Sequence, residues 1–240
     1  MQSIDQSKVK NRLLKAMAPE TFASFQPFLE QVDLPLRHVL AEANRPPTHV
    51  YFIESGLASL VATSTDNESI EIGHIGREGM SGTHLLLKTD ISPTRTFLQV
   101  AGTGIRLPVS AFLELLDKSP STRDLFLLYT HCSEIQLAHS ALANARYSVN
   151  ERLARWLLMC HDRLDGDDLA LTHEFLALML GVRRSGVTNE IHMLEGLGAI
   201  RATRGNVRIL DRSKLEDIAS GSYGIPEREY DRLIGPATPR

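Results

Sequence analysis

One stripe of a predicted helix, which runs from about residue 184 to residue 195, carries five polar side chains. They are Arg184, Ser185, Thr188, Asn189 and His192. The opposite stripe is apolar, which is typical of a helix with one face against a core. Arginine and asparagine side chains can form paired hydrogen bonds with base edges in the major groove of DNA. The chemistry that this stripe predicts is therefore hydrogen bonding to bases.

A second predicted helix precedes this one and joins it through a tight turn. Thr172 is suited to begin it, because a threonine oxygen accepts hydrogen bonds from the free amides of a first turn. Gly181 provides the residue that tolerates a positive φ in the turn, and the small Ala177 lies four residues before it. This spacing indicates a helix–turn–helix. The alternative is an ordinary pair of antiparallel helices in a bundle.

The segment after these helices strengthens the DNA-binding interpretation. Residues 199–202 and 207–210 read as two short strands, and residues 203–206 between them have turn chemistry. A hairpin in this place makes a winged helix, with Arg204 in its turn. Residues 181–212 contain six arginines, which are Arg183, Arg184, Arg201, Arg204, Arg208 and Arg212. The same segment contains three acidic residues, so its net charge is about +3, whereas the whole chain has a net charge of -3. A local positive charge of this kind is expected of a surface that binds phosphate.

Composition limits the class of protein. The chain has 240 residues, of which 42% are hydrophobic and 23% charged, and these values predict a globular protein with a core. No apolar run is long enough to span a bilayer, and the first residues lack the apolar core of a secretory signal. Only two cysteines occur, so we expect no disulfide framework and no cysteine-based zinc or iron–sulfur site. We also expect no other metal and no cofactor. We therefore expect a cytoplasmic protein.

The first half of the chain has a different pattern. Residues 8–29 read as two short helices, and short apolar runs separated by turn residues follow from about residue 32 to residue 109. Such spacing without intervening helices favours a small antiparallel barrel or jelly roll. Glu54–Gly56 and Thr65–Glu68 read as its tight turns. We expect this half to be a sensor or scaffold.

A long helix is predicted from Ser119 and Pro120 to about Tyr147, about 40 Å in length. Such a helix beside a small barrel needs a partner, and a second copy of the chain is the simplest; the alternative is packing on its own barrel. A heptad placed on it gives an imperfect dimer seam of Leu125, Leu128, Cys132, Ile135, His139 and Leu142. The predicted division is a sensor domain at 1–118, a dimerisation helix at 119–148, a winged helix–turn–helix at 149–220 and a mobile tail at 221–240.

The predicted fold is α+β, with an N-terminal antiparallel β-roll, then a long dimer helix and then a C-terminal winged helix–turn–helix. This order of elements resembles that of the Crp/Fnr family of bacterial transcription regulators. The resemblance is carried by RLARWLL (152–158), LTHEFLALMLGVRR (171–184) and VTNEIHMLEGLGAI (187–200), and more loosely by IGREGMSG (75–82). It implies a homodimer that sets two recognition helices in successive major grooves of a near-palindromic site, with RNA polymerase as a further partner.

The resemblance also implies roles for individual residues. Arg183, Arg184, Ser185, Thr188 and Asn189 would face the bases. Thr172 and His173 would lie near the phosphates at the start of the first helix. Many members carry Glu and Arg where this chain has Ser185 and Asn189. Because asparagine suits adenine, we expect a consensus that differs from the best-known one of the family.

The family's cyclic-nucleotide cassette is only partly matched. The candidate effector pocket comprises Gly82, Thr83, Arg95 and Thr96. Thr83 replaces the glutamate that would bind ribose, whereas Arg95 stands as a candidate phosphate contact. Phe97 is expected to crowd a nucleotide. The sequence therefore predicts an unidentified effector, or none, rather than a cyclic nucleotide.

The sequence leaves two other functions open. One is a cyclic-nucleotide-type sensor that signals to protein partners. The other is a metal enzyme on a cupin-like β-roll, which would need converging histidine and carboxylate ligands and usually a His-x-His pair. The roll region contains no such pair. The favoured function is transcription regulation without chemistry on DNA.

Overall fold

In a computed structural model of the chain, residues 4–235 are described. The N-terminal part holds two short helices and then a five-stranded sheet. Its elements are α1 (Arg12–Ala16), α2 (Pro19–Phe25), β1 (Glu30–Leu34), β2 (Val39–Ala41), β3 (His49–Thr63), β4 (Ser69–Ile75) and β5 (Arg95–Pro108). Single 3-10 turns occur at Gln6–Lys8, Gln26–Phe28 and Thr83–Leu87.

The sheet is antiparallel throughout. Its strand order is β1-β5-β3-β4, and β2 also pairs with β5. Its inner face encloses a small apolar core that includes Leu34, Ile53 and Leu98. The outer face of β3, β4 and β5 is also buried, because the C-terminal half of the chain packs on it. The predicted antiparallel β-roll is confirmed.

One predicted hairpin turn is wrong. Glu54–Gly56 lies inside the 15-residue strand β3, at a point where the register with β5 shifts. Gly56 has a φ of +87°, and a Cβ there would lie 2.6 Å from the carbonyl oxygen of Val100. Glycine is therefore required by a bulge within the strand rather than by the end of a strand. The other predicted turn, Thr65–Glu68, does join β3 to β4.

Two helices follow the sheet. They are α3 (Val109–Lys118) and α4 (Pro120–Arg146), and α4 has the predicted length. The Phe126 ring packs between Phe52 and Phe112, with ring centroids 5.7 and 5.8 Å away, which fixes the start of α4 on the roll. Tyr147 and Ser148 then separate α4 from the next helix, whose capping box is formed by Ser148 and Glu151.

The C-terminal part comprises a helical core with a three-stranded sheet. Its elements are α5 (Val149–Arg163), β6 (Asp168–Leu169), α6 (His173–Leu180), α7 (Arg184–Gly196), β7 (Ile200–Thr203), β8 (Asn206–Ile209) and α8 (Arg212–Ala219). The strand order is β6-β8-β7. The predicted winged helix–turn–helix is confirmed, and β6 is an added strand that the sequence did not indicate.

The end of the described chain differs from the sequence prediction. A 3-10 turn at Ser220–Ser222 leads into α9 (Ile225–Leu233), where a mobile tail was expected. Pro226 and Tyr230 of this helix are buried. Residues 236–240 of the predicted tail lie outside the described residues. Within residues 4–235, no helix is both long and apolar enough to cross a membrane.

Candidate DNA-binding surface

The turn between α6 and α7 has the geometry that its residues predict. The Thr172 hydroxyl accepts a hydrogen bond from the Phe175 amide at 3.3 Å, so it caps α6. Gly181 ends α6 with a φ of +62°, in the left-handed region. Val187 and Ile191 of α7 are buried in the core of the domain. The opposite stripe of α7 is therefore turned away from that core.

The polar stripe of α7 is largely accessible. Its exposed members are Arg184, Ser185, Asn189 and His192, and Arg183 just before the helix is also accessible. The half-buried Thr188 has its hydroxyl 3.3 Å from Nδ1 of His173 at the start of α6. Thr188 and His173 thus connect the two helices while they border the same surface. The predicted base-facing side chains are free to meet a ligand.

The wing adds a second basic edge. Gly205 has a φ of +74° in the hairpin turn, which leaves the neighbouring Arg204 exposed at the tip. Arg201 and Arg208 are exposed partners across β7 and β8, and Arg208 lies 3.9 Å from an Asp168 carboxylate oxygen. The basic groups therefore extend from α7 onto the hairpin.

Arg212 does not belong to this basic edge. Its guanidinium is half-buried and contacts Asp162 at 2.9 Å, Glu216 at 2.9 Å and the Tyr223 hydroxyl at 2.7 Å. These partners neutralise the positive charge of Arg212 within the domain. Without Arg212, the net charge that residues 181–212 offer to DNA is about +2 rather than the +3 counted from the sequence.

The long helix α4 presents an apolar row to solvent. Leu128 and Leu142 are 37% and 44% exposed, and Ile135 between them is half-buried. Small residues at 138, 141 and 145 broaden this row. Of the other predicted seam residues, Leu125 and His139 are half-buried, whereas Cys132 is buried in the core beside α9. Cys132 is therefore part of the chain's own core. The face of α4 that is accessible to solvent is the row of Leu128, Ile135 and Leu142.

One part of the chain matches a known family. Residues 151–218 match the model of the Crp-like helix-turn-helix domain. This segment is a Crp-like helix–turn–helix domain. No curated protein sequence matches it.

Solved structures show the same architecture over most of the chain. The c-di-GMP responsive global regulator CLP of Xanthomonas campestris is 18% identical, with a TM-score of 0.63 over 80% of this chain and 99% of that one. FixK2 of Bradyrhizobium japonicum is 13% identical, with a TM-score of 0.68 over 80% and 98%. A CRP/FNR-family transcriptional regulator of Thermus thermophilus is 20% identical, with a TM-score of 0.59 over 79% and 98%. At these identities the likeness concerns the fold.

A cavity of about 210 Å³ lies between the roll and α4. Gly82, Thr83 and Thr96 of the predicted pocket line it, whereas Arg95 does not. Arg95 is turned to the surface, where its Nε lies 3.2 Å from a Glu42 carboxylate oxygen. Phe97 also points outward and packs with Phe175, so the expectation that it crowds the pocket is wrong.

The polar groups of the cavity are mostly uncharged. They include the side chains of Thr83, Thr96 and Gln136, with Glu134 at the edge. Nε2 of His84 is buried and has no hydrogen-bond partner within the described part of the chain. Among the described residues, neither Arg nor Lys lines the cavity. A phosphate would therefore enter without a cation to balance its charge.

This lining predicts the response to cyclic nucleotides. We expect cyclic AMP and cyclic GMP at millimolar concentration to shift the thermal midpoint by less than about 1 °C, since a ligand that does not bind cannot stabilise the fold. Differential scanning fluorimetry measures the shift, with 5′-AMP as the matched control for nonspecific effects. A midpoint that rises with cyclic nucleotide alone, and saturates, would contradict the prediction.

A buried polar cluster joins the roll to α5. Glu71 and His74 of β4 lie 3.4 Å apart, and Nε1 of Trp156 donates to Glu71 at 3.2 Å. Burial raises the pKa of Glu71 to about 8, although a hydrogen bond from Ser59 and the charge of Arg163 act in the opposite direction. Burial likewise lowers the pKa of His74 well below its usual value. Sequence reasoning missed this cluster; a glutamate inside the apolar run Ile70–Ile72 was the available signal.

Proposed function

We propose that the chain is a sequence-specific, DNA-binding transcription regulator that acts as a homodimer on near-palindromic promoter sites in the cytoplasm. The observation that carries the proposal is the exposed stripe of Arg184, Ser185 and Asn189 on the second helix of a Crp-like helix–turn–helix. These side chains project from α7, whose opposite face is buried. The helix can therefore present them rigidly to base edges, without chemistry on DNA.

The side chains divide into base-reading and phosphate-binding groups. Arg184 is suited to a guanine and Asn189 to an adenine, because each can make two hydrogen bonds to that base in the major groove. Arg183, at the start of α7, and Arg204, at the tip of the wing, flank the stripe and are suited to phosphates. Thr172 and His173 at the beginning of α6 would lie beside the backbone, where free helix amides favour an anion.

The exposed row on α4 supports the homodimer. A helix of 27 residues with Leu128, Ile135 and Leu142 open to solvent is a surface that a second copy can cover. In a two-fold pair along this row, two copies of α7 would be available to one DNA duplex. Two recognition helices one helical turn of DNA apart then read a near-palindromic site. RNA polymerase remains a further proposed partner, without an assigned surface.

The cavity beside α4 supports control by a small molecule. We propose an uncharged ligand that forms hydrogen bonds with threonine hydroxyls and with Nε2 of His84. Gln136 and Leu137 of α4 share the wall of this cavity, so a ligand contacts the dimer helix directly. Regulation then follows if the ligand binds one arrangement of α4 more tightly than another.

The deciding experiment is a footprint of the purified chain on genomic promoter fragments at about 100 mM salt, because salt sets the strength of phosphate contacts. We expect protection of paired half-sites about ten base pairs apart. Replacing Arg184 by alanine should weaken binding to the selected site by roughly tenfold to a hundredfold, since one bidentate base contact contributes about 1–3 kcal/mol. Binding to a duplex of unrelated sequence should change much less.

The matched control is Arg45→Ala, because Arg45 is an exposed arginine of the roll, remote in sequence from the helix–turn–helix. It should leave the footprint unchanged. The proposal fails if no fragment is protected. It also fails if Arg184→Ala and Arg45→Ala bind the selected site equally well.

A further inference from the structure

The C-terminal helix α9 returns from the DNA-binding domain to the roll. Tyr230 and the neighbouring Leu233 and Ile234 pack into the apolar core that the roll shares with α4. The Tyr230 hydroxyl donates a hydrogen bond to the Glu78 carbonyl oxygen at 2.6 Å. The helix therefore belongs to the N-terminal part by its contacts, although it follows the winged helix in the sequence.

Charged contacts reinforce this attachment. Arg12 of α1 lies 2.8 Å from an Asp231 carboxylate oxygen, and its guanidinium stacks over the Tyr230 ring at 4.3 Å. Tyr129 of α4 meets the same ring edge-on, with centroids 6.5 Å apart. Tyr230 is thus held from both α1 and α4. These contacts leave the exposed row of α4 uncovered.

The residues just before α9 are fixed to the DNA-binding domain. The Tyr223 hydroxyl donates to Asp162 of α5 at 2.7 Å, and Nε of Arg155 donates to the Ser222 carbonyl oxygen at 2.9 Å. Gly224, with a φ of +101°, is the one residue between this anchor and the first residue of α9. The connection is therefore too short to allow the two anchored segments to separate.

The DNA-binding domain is connected to the roll twice as a result. Its first connection is the break between α4 and α5 at Tyr147, and its second is Gly224. Between these points α6 packs on the outer face of the sheet, where Phe175 meets Phe97 and Val61. Rotation of the domain about Tyr147 would have to break α9 away from Arg12 and Tyr129.

In this docked position of the DNA-binding domain, the turn between β3 and β4 of the roll lies next to the helix–turn–helix. Ile70 lies against Gly181, and Glu68 shares a surface depression with the same glycine. Asp66 is in the same exposed turn. Glu68 therefore borders the depression beside Gly181, two residues before Arg183. A phosphate backbone that approaches Arg183 would meet like charge.

We infer that α9 is an intramolecular tether that holds the winged helix on the roll in a position that restrains DNA binding. The inference rests on the proposed function for its consequence, but the tether itself rests on the contacts of Tyr223, Gly224 and Tyr230. Release of the domain would move Gly181 away from the acidic turn. DNA affinity would then rise without any change in the DNA-contacting residues.

The test lengthens the connection without removing α9. About ten Gly and Ser residues are inserted between Tyr223 and Gly224, which adds a flexible span of roughly 17 Å. The matched control carries the same insertion after Gly235, beyond α9. Trp156 is the single tryptophan of the chain. It belongs to α5, is 5% exposed and packs against His74 of the roll. Acrylamide quenching of its fluorescence therefore reports release of the domain.

We expect stronger quenching in the Tyr223 insertion than in the wild type or the control, because a longer connection lowers the effective concentration of the docked domain. Affinity for a fluorescein-labelled duplex of about 40 base pairs and random sequence, measured by anisotropy at about 50 mM salt, should rise about fivefold. The variant Glu68→Gln should raise this affinity with no change in Trp156 quenching.

The outcomes separate the two ideas. Equal quenching in both insertions would overturn the tether. Stronger quenching with unchanged or lower DNA affinity would overturn the restraint. If no protein binds the duplex at this salt, the proposed function is overturned instead, and the quenching alone then decides for or against the tether. Circular dichroism checks that each variant keeps the helical content of the wild type.

Discussion

A chain that carries Leu128→Glu and Leu142→Glu is expected to be a monomer at micromolar concentration, whereas the wild type is expected to be a dimer. The two leucines are the exposed ends of the row on α4. In a two-fold pair the substitutions place four carboxylates in one interface. Desolvation and mutual repulsion of these charges should outweigh the remaining apolar contact. Light scattering with size-exclusion chromatography measures the mass.

The same variant should lose at least about a hundredfold in affinity for a two-half-site duplex. A dimer binds its second half-site at a high effective concentration, and a monomer has no such advantage. Its affinity for a single half-site should stay within about threefold of the wild type, because α7 is untouched. Anisotropy titrations with the two duplexes provide the comparison.

The control for this prediction is Leu113→Glu on α3. Leu113 is 39% exposed, so the substitution matches Leu128→Glu in chemistry and exposure while lying on another helix. It should remain dimeric and bind normally. The seam assignment would be wrong if the wild type were a monomer, or if Leu113→Glu dissociated the dimer as well as the double variant does.

The sequence predicted the helix–turn–helix well because its determinants are local. Thr172 caps α6 through a residue three positions away, and Gly181 has the positive φ that its type permits. The spacing of Val187 and Ile191 alone identifies the buried stripe of α7. Each of these features depends on neighbours within one or two helical turns. The remaining stripe could therefore be assigned as the accessible face before any tertiary contact was known.

The features that sequence reasoning missed depend on distant partners. Tyr230 is fixed by Glu78 and Arg12, which lie more than 150 residues earlier in the chain. The sequence around Arg212 indicates a surface charge, whereas in the fold Asp162 lies beside it. Cys132 fits a heptad position, but α9 covers that side of α4. A periodic pattern identifies an apolar face and does not reveal which segment of the chain will cover it.

The buried cluster at Glu71 leads to the second large effect, which concerns pH. In the unfolded chain Glu71 loses its proton near its ordinary pKa of 4.5, whereas in the folded chain burial raises the pKa to about 8. Between these values the native state binds more protons than the unfolded state, so this group lowers the free energy of unfolding as the pH rises. Glutamine in the same place binds no proton in either state.

The variant Glu71→Gln is therefore expected to gain stability relative to the wild type by about 1 kcal/mol per pH unit between about pH 5 and pH 8. Its side-chain oxygen can still accept the hydrogen bond from Trp156. Urea unfolding at several pH values gives the difference. His74, Arg155 and Arg163, which face the cluster, are present in both proteins, so the lowered pKa of His74 cancels from the comparison.

The control is Glu20→Gln, which makes the same chemical change at an exposed position on α2, away from the cluster. A flat difference for Glu71→Gln would show that Glu71 is ionised in the folded chain at neutral pH. The contact between the roll and α5 would then hold a buried carboxylate, with its charge balanced by Arg163. A rising difference instead shows that the neutral acid is part of the interface, so alkaline conditions would weaken the docking of the DNA-binding domain.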